Sequence, residues 1–298
     1  MSESVQHRKV DPGSDGQRLD NYLSSILKSA PKSLIYRIIR KGEVRVNGGR
    51  AKPMQKLKLG DEVRIPPVRV ASSSTPVISA EKVNSLRERI VFDDRHYLVF
   101  DKPAGMAVHG GSGLPWGLID VARQMFPDSY LELGHRLDRE TSGCLVLARN
   151  REALLAFQEG LKQDRVEKRY LCLLEGHLND RVEVKAPIAE TRRGGEKFMV
   201  VDEAGRRAFS EFRPLEFDRN RTLCEVLIKT GRTHQIRVHA NHLGHPVVGD
   251  ARYGDADAAD QLHLHCSMMG FDWEERGHLM SASAPLPHNW KLRRGASR

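Results

Sequence analysis

The stretch Gly134-His135-Arg136-Leu137-Asp138-Arg139-Glu140-Thr141-Ser142-Gly143 sets one carboxylate between two arginines. Behind it comes an apolar run, Cys144-Leu145-Val146-Leu147-Ala148, which reads as a buried strand and leaves the polar residues in a loop at its start. Loops held on a rigid scaffold are where catalytic groups concentrate. Thr141, Ser142 and Gly143 supply hydroxyl and backbone groups that can hold such a loop, and Asp138 is then the group available for acid, base or nucleophilic work. The plain alternative is an ion pair between Asp138 and a flanking arginine that contributes structure alone.

Two further places carry chemistry. In Lys229-Thr230-Gly231-Arg232-Thr233-His234-Gln235-Ile236-Arg237-Val238-His239, Thr233 is placed to cap a helix and Gly244 to stop it. The first free N–H groups of that helix would face an anion beside Arg232 and His234. Tyr170 lies near the start of the run Lys168–Leu174, a mostly buried strand, where it reads as core. His234, His239, His242 and His245 are dense enough to raise zinc. No pair has i, i+4 spacing and no Cys-x-x-Cys accompanies them, so no metal is expected.

The elements that must position these residues can be read in order. A polar tail is expected over residues 1–15. Over residues 16–69, apolar Leu19, Tyr22, Leu23, Ile26 and Leu27 recur at helical spacing, so the first helix runs from about Arg18 to Lys28. Pro31 opens a second helix with Leu34, Ile35, Ile38 and Ile39 on its apolar face, and Gly42 ends it. Val44–Val46 alternates into the turn Asn47-Gly48, and Glu62–Ile65 forms another strand. Residues 70–85, with Ser72-Ser73-Ser74-Thr75-Pro76, read as a flexible linker. A second domain over residues 86–298 starts with strands at Ile90–Phe92 and Tyr97–Asp101, the turn Lys102-Pro103-Ala104-Gly105, and an extended Met106–His109. Asn150 caps a helix whose inner face is Leu154, Phe157 and Leu161. Further strands fall at Arg207–Arg213 and Thr222–Lys229.

Charge divides unevenly along the 298 residues. Residues 16–69 hold 13 Lys+Arg against 4 Asp+Glu, whereas residues 70–298 hold 33 against 32. The polar face with Lys32, Arg37, Arg40, Lys41 and Arg45 is either a solvated helix surface or the footprint of a polyanion such as nucleic acid. The near absence of balancing acidic residues favours the polyanion. Hydrophobic content of 39% suffices for a core, no apolar run is long enough to span a bilayer, and the start of the chain has no apolar signal-like segment. The four cysteines are widely spaced, so buried free thiols in a reducing cytoplasm are expected.

The motif His-Arg-Leu-Asp-Arg-x-Thr-Ser-Gly resembles the signature of the RluA-type pseudouridine synthases. Lys102-Pro103-x-Gly105-Met106-x-Val108-His109, Gly231-Arg232-Thr233-His234-Gln235-x-Arg237-x-His239 and Gly249-Asp250-x-Arg252-Tyr253-Gly254 resemble the same family. So does Leu262-His263-Leu264-His265-Cys266, with Cys266 where a small residue is usual. Arg18-Leu19-Asp20 with Arg40-Lys41-Gly42-x-Val44-x-Val46-Asn47 resembles the S4 RNA-binding domain, and the pairing of modules is similar to the RluC type, which acts on bacterial large-subunit rRNA. The resemblance implies an α+β fold: a small S4-like domain, then a catalytic domain around a largely antiparallel mixed sheet flanked by helices and loops. It implies isomerisation of uridine to pseudouridine on a flipped-out base, without cofactor, by a cytoplasmic monomer whose partner is ribosomal RNA. By motif match, Asp138 is the essential carboxylate, Arg136 fills the gap left by the base, Tyr170 stacks on the uracil, and Arg237 pairs with Asp138. The Lys102 turn is expected to be structural. Two other functions stay open on the residues: an RNA glycosidase, with Glu140 as its second carboxylate, and a non-enzymatic ribosome-assembly factor.

Overall fold

The computed structural model describes residues 4–27, 30–68, 78–111, 114–218, 220–254, 261–288 and 290. The chain divides into two units, one up to Val77 and one from Ile78 on, each with its own apolar core.

In the first unit a four-stranded antiparallel sheet carries two helices. Its elements are β1 (Gln6–Lys9), α1 (Leu19–Ile26), α2 (Lys32–Arg40), β2 (Arg45–Val46), β3 (Gly49–Arg50) and β4 (Glu62–Ile65), with strand order β1-β4-β2-β3. Asn47 and Gly48 both have positive φ, 49° and 77°, which twists the β2–β3 hairpin to match its strands. Gly42, at φ 73°, ends the α2 segment as the sequence implies. Leu19, Leu23, Ile35, Ile39, Leu57 and Ile65 fill the core. The expected tail is corrected: residues 6–9 pair with β4, and Val10 is buried in this core, so the sheet recruits residues that polarity alone assigned to a tail. Polar composition misled there because an edge strand exposes most of its side chains, as the mainly exposed β1 does.

The second unit contains α3 (Ala80–Arg87), β5 (Ile90–Asp93), β6 (Tyr97–Lys102), α4 (Leu118–Met125), β7 (Glu132–Leu133), β8 (Ser142–Ala148), α5 (Arg151–Lys162) and β9 (Val166–Glu175). There follow β10 (Val182–Val184), β11 (Ile188–Arg193), β12 (Glu196–Val201), β13 (Ser210–Asp218), β14 (Arg221–Ile228), α6 (Gln235–His242), β15 (Leu264–Trp273) and β16 (His278–Ser283). The large sheet has the order β10-β13-β14-β9-β15-β8-β6-β5, with β16 on β15 and β7 on β8. Its pairs are antiparallel except β8 with β15, where Ser142 lies opposite His265 and Gly143 opposite Cys266. β11 and β12 form a separate hairpin. The α+β architecture with a largely antiparallel sheet is thus observed.

All seven residues of β8 are buried, because both faces of the sheet are covered; this is why its sequence runs apolar without alternation. Phe157 of α5 meets Tyr97 and Phe271 at ring-centroid distances of 5.9 and 5.5 Å, and Asn150 caps α5 by accepting the Ala153 N–H at 2.8 Å. The linker reading is corrected in part. Residues 69–77 lie outside the described residues, but Ala80–Arg87 is helical, Ser79 caps it, and Ile78 and Leu86 are buried in the second core. Met106–His109 is not a strand; Ala107 and Val108 instead offer their carbonyls to the first turn of α4.

The first unit is tied by Asp20. Arg18 donates to its two oxygens at 3.0 and 2.6 Å, and the Tyr36 hydroxyl donates at 2.8 Å. Burial alone would raise this carboxyl, but the Arg18 and Tyr36 hydrogen bonds outweigh burial and hold it below the ordinary value. Arg18 is 40% exposed, which screens the pair. Asp20→Asn should therefore cost about 1 kcal/mol at pH 7, read as a lower Tm. A depressed folded-state pKa gives stability that is present above the ordinary value and lost as pH falls. The gap between variant and wild type should close as pH falls through and below 3.8. A gap that persists in acid would refute this origin.

Candidate active site

Asp138 stands on the loop between β7 and β8, and three devices hold that loop. Lys102, with no exposure, aims its ammonium at the carbonyls of Pro103, Met106 and Arg139 at 3.0, 2.9 and 2.9 Å, tying the turn after β6 to the loop. Burial pushes this ammonium down to about 8. Gly105 N–H donates to the Arg139 carbonyl, and Arg139 Nε returns a bond to the Gly105 carbonyl. At the far end, Ser142 Oγ bonds buried His265 Nδ1 at 2.9 Å, and Gly143 adopts φ 101° against the Cys266 backbone. Ser142 and Gly143 are thus the seam to β15, and the structural role expected for the Lys102 turn has a specific form.

The cations facing Asp138 are not its neighbours in sequence. Arg139 is engaged with Gly105 and with Glu140 at 3.4 Å, and Arg136 is exposed at the cleft. His234 Nε2 and Arg237 Nη1 instead approach Asp138 Oδ2, at 3.7 and 4.0 Å. Arg237 thus meets Asp138 at ion-pair distance, as the motif match implies, though not through a bidentate contact. The bidentate partner of Arg237 is Asp250, which receives Nε at 2.7 Å and Nη2 at 2.6 Å. Asp250 is buried and also accepts the N–H groups of Arg252 and Tyr253, each at 3.0 Å. Burial would raise it, but Arg237 outweighs burial and holds it below the ordinary range. The Gly249–Gly254 motif signalled this residue, but sequence gave it no role.

The expected helix cap moves by one residue. His234, not Thr233, is the N-cap of α6, in the left-handed region at φ 55° and with no side-chain cap bond. Its Nδ1 lies 2.7 Å from the Tyr253 hydroxyl. Burial lowers its pKa, Asp138 opposes, and Arg237 and Arg252 add to the lowering. Gln235 folds back, accepting from Arg232 N–H and the Thr230 hydroxyl, while Arg232 Nε bonds the Arg207 carbonyl. Two of the other histidines have their own partners: His239 bonds Ser210 and the Ala186 carbonyl, and His245 the Glu175 carbonyl. Among the described residues no cluster of metal-ligating side chains forms.

Asp138, Arg136, Tyr170, Arg232 and His234 line one cleft of about 1190 Å³. Tyr170 is buried in its wall beside Cys266, and burial pushes its phenol well above the ordinary value, so it presents a neutral ring. His135 accepts the Val146 N–H at Nε2, and burial pushes it down to about 4. Eight lysines and arginines line the cleft against three carboxylates. The near-balance of residues 70–298 hides this local excess. Arg37, Arg40 and Lys41 are exposed on or next to α2, and Arg45 is half-buried with Nε on the Gly42 carbonyl. The side chain of Lys32 lies outside the described residues. All four cysteines are buried and free, and no helix among the described residues is long and apolar enough to cross a membrane.

An RNA pseudouridylate synthase profile matches residues 96–242, and an S4 domain profile residues 17–63. The chain is similar to the ribosomal large subunit pseudouridine synthase C of Pasteurella multocida (strain Pm70), 43% identical over 311 residues that cover 100% of this chain and 95% of the relative. The protein of that name from Escherichia coli (strain K12) is 43% identical, covering 97% and 95%. Among solved structures, human RNA pseudouridylate synthase domain containing 1 superposes with a TM-score of 0.60 at 27% identity, over 70% of this chain and 86% of that one.

Gly143 tests the loop's anchoring. A Cβ there would sit 2.1 Å from the Cys266 carbonyl oxygen, so β8 and β15 would have to part. Gly143→Ala should cost about 3 kcal/mol or more and lower activity together with Tm. A variant with wild-type Tm would show that the seam yields.

Proposed function

The chain belongs to the RNA pseudouridylate synthase family and is an RNA pseudouridine synthase, and from that premise we propose that it isomerises specific uridines of large-subunit ribosomal RNA, with Asp138 as the essential carboxylate acting on a flipped-out base. The observation that carries the assignment is the position of Asp138. It lies at the cleft with 37% of its side chain exposed, on a loop tied at both ends, with two donors directed at one oxygen. The names and near-complete coverage of the relatives support the rRNA substrate.

In the reaction the N1–C1′ bond breaks and a C5–C1′ bond forms. N1 gains a proton and C5 loses one, so nothing is oxidised and no cofactor is needed. A base in folded RNA must leave its stack to be reached. Tyr170 offers it a neutral face, and Arg136, exposed at the rim, can occupy the space it leaves. Asp138 attacks the base, attacks the ribose or takes the C2′ proton; in each case one carboxylate oxygen works while the other can stay bound. The glycosidase alternative loses its candidate second carboxylate, because Glu140 pairs with Arg139 and is not part of the cleft lining. The protein acts as a cytoplasmic monomer on rRNA or an assembly intermediate.

Asp138→Asn keeps shape and removes the charge. It should abolish pseudouridine formation on rRNA while leaving RNA affinity and Tm near wild type. A pseudouridine-specific chemical probe reads this; a tenth of wild-type turnover surviving would move the chemistry elsewhere. The same probe separates the alternatives, since a glycosidase leaves an abasic site and a binding factor leaves uridine.

The two units should divide anchoring from chemistry. A protein beginning at Ile78 should bind rRNA more weakly and with a shallower dependence of log affinity on log salt, each lost phosphate contact removing about 0.7–0.9 from the slope. The cations of the cleft should preserve part of it, and single-turnover rate at saturation should change much less. Full retention of the slope would show that the first unit is not the main anchor; retained affinity with lost turnover would make it a positioning element.

A further inference from the structure

His234 is a non-glycine residue in the left-handed region, at φ 55° and ψ 21°. An L side chain is disfavoured there, because its Cβ crowds the following carbonyl oxygen. No capping bond compensates. What holds the ring is Tyr253, edge-on at a centroid distance of 5.5 Å, with its hydroxyl 2.7 Å from Nδ1. The opposite ring nitrogen faces Asp138 Oδ2, the same oxygen that Arg237 Nη1 approaches. We propose that Tyr253 and His234 form a positioning pair. The Tyr253 hydroxyl donates to His234 Nδ1, which fixes the imidazole as its Nε2–H tautomer; that N–H, with Arg237, pins Asp138 through Oδ2 and leaves Oδ1 as the oxygen that does the chemistry. This rests on the reading of Asp138 as the essential carboxylate.

The assignment follows from counting donors and acceptors. An ionised carboxylate only accepts, so the imidazole nitrogen turned toward it carries the proton. The ring is neutral, since burial lowers the pKa of His234 and the nearby Arg237 and Arg252 work in the same direction, against Asp138 and Asp250. Nδ1 is then bare and accepts. The Tyr253 oxygen already accepts the Met199 N–H at 3.2 Å, which leaves its own proton for Nδ1. Burial keeps that phenol protonated. Each group has one consistent role, and the chain of contacts reaches from hairpin β11–β12, through Met199 and the Phe198 ring 5.3 Å from Tyr253, to the carboxylate. The separations of 3.7 and 4.0 Å leave room for Asp138 to close on its donors when substrate excludes water.

Two measurements decide it, and the first does not depend on catalysis. In full-length protein labelled with 15N-histidine, the His234 resonance, assigned by its loss in His234→Gln, should report a neutral Nε2–H imidazole. In Tyr253→Phe it should report mixed tautomers. Second, single-turnover rate at saturating enzyme should fall about tenfold in Tyr253→Phe, the scale of one lost hydrogen bond, with RNA affinity within about twofold of wild type. His234→Ala should fall further, and His234→Gln, whose amide can still donate, should recover part of the loss. A wild-type His234 that is cationic or protonated on Nδ1 overturns the pair, as does an unchanged rate in Tyr253→Phe. Full activity in Asp138→Asn would instead overturn the parent assignment while leaving the tautomer result standing.

Discussion

The buried carboxylate of Asp250 is the interaction on which the site depends. An ion removed from water is tolerated only if its lone pairs are answered, and Asp250 is answered by two guanidinium N–H groups and two backbone N–H groups. The consequence is geometric. With Nε and Nη2 committed, Arg237 can present only Nη1 to Asp138, and with residues 250–254 folded around the carboxylate, Tyr253 is held where its hydroxyl meets His234. A single desolvated group thereby aims both donors that face Asp138.

The loop that carries Asp138 is held through its backbone. Lys102 binds the loop from one side through carbonyls, and the Gly143–Cys266 approach fixes it from the other. These anchors share no atom with the carboxylate. A bidentate salt bridge would occupy both oxygens of Asp138 and would have to break before either could react. Donors waiting at 3.7 and 4.0 Å orient the group without that cost. The strong bidentate contact is spent one step away, on a carboxylate that takes no part in the reaction.

Much of this was legible in the sequence. Periodicity located α1, α2, α5 and the strands β5, β6, β8 and β9, because those segments have one buried face or two. The turn Asn47-Gly48 and the cap Asn150 have local causes and were placed to the residue. The misses have physical causes too. β1 is an edge strand whose exposed side chains carry no apolar signal, and α3 begins inside a stretch that composition marks as linker. In the site, Asp138, Arg237 and His234 were identifiable by motif. Their wiring was legible only in part, because Arg237 also satisfies Asp250 through a contact thirteen residues away that no spacing rule selects. The left-handed conformation of His234 was likewise invisible, since non-glycine residues seldom adopt it.

Net charge misled in an instructive way. Summed over residues 70–298, the charges nearly cancel, which suggests a unit indifferent to polyanions. Yet electrostatic influence between exposed groups fades over about 8–10 Å at physiological salt, so a phosphate in the cleft feels its walls and not the sum. Those walls carry eight cations against three carboxylates, while most of the remaining acidic side chains are distributed elsewhere on the unit. In the first unit the same argument runs the other way: the excess is large in total, and Arg37, Arg40 and Lys41 are concentrated at one exposed helix end. Two separate basic surfaces therefore suit two tasks. One suits the backbone of a polyanion, and the other sets Tyr170 and Asp138 among cations in one cleft.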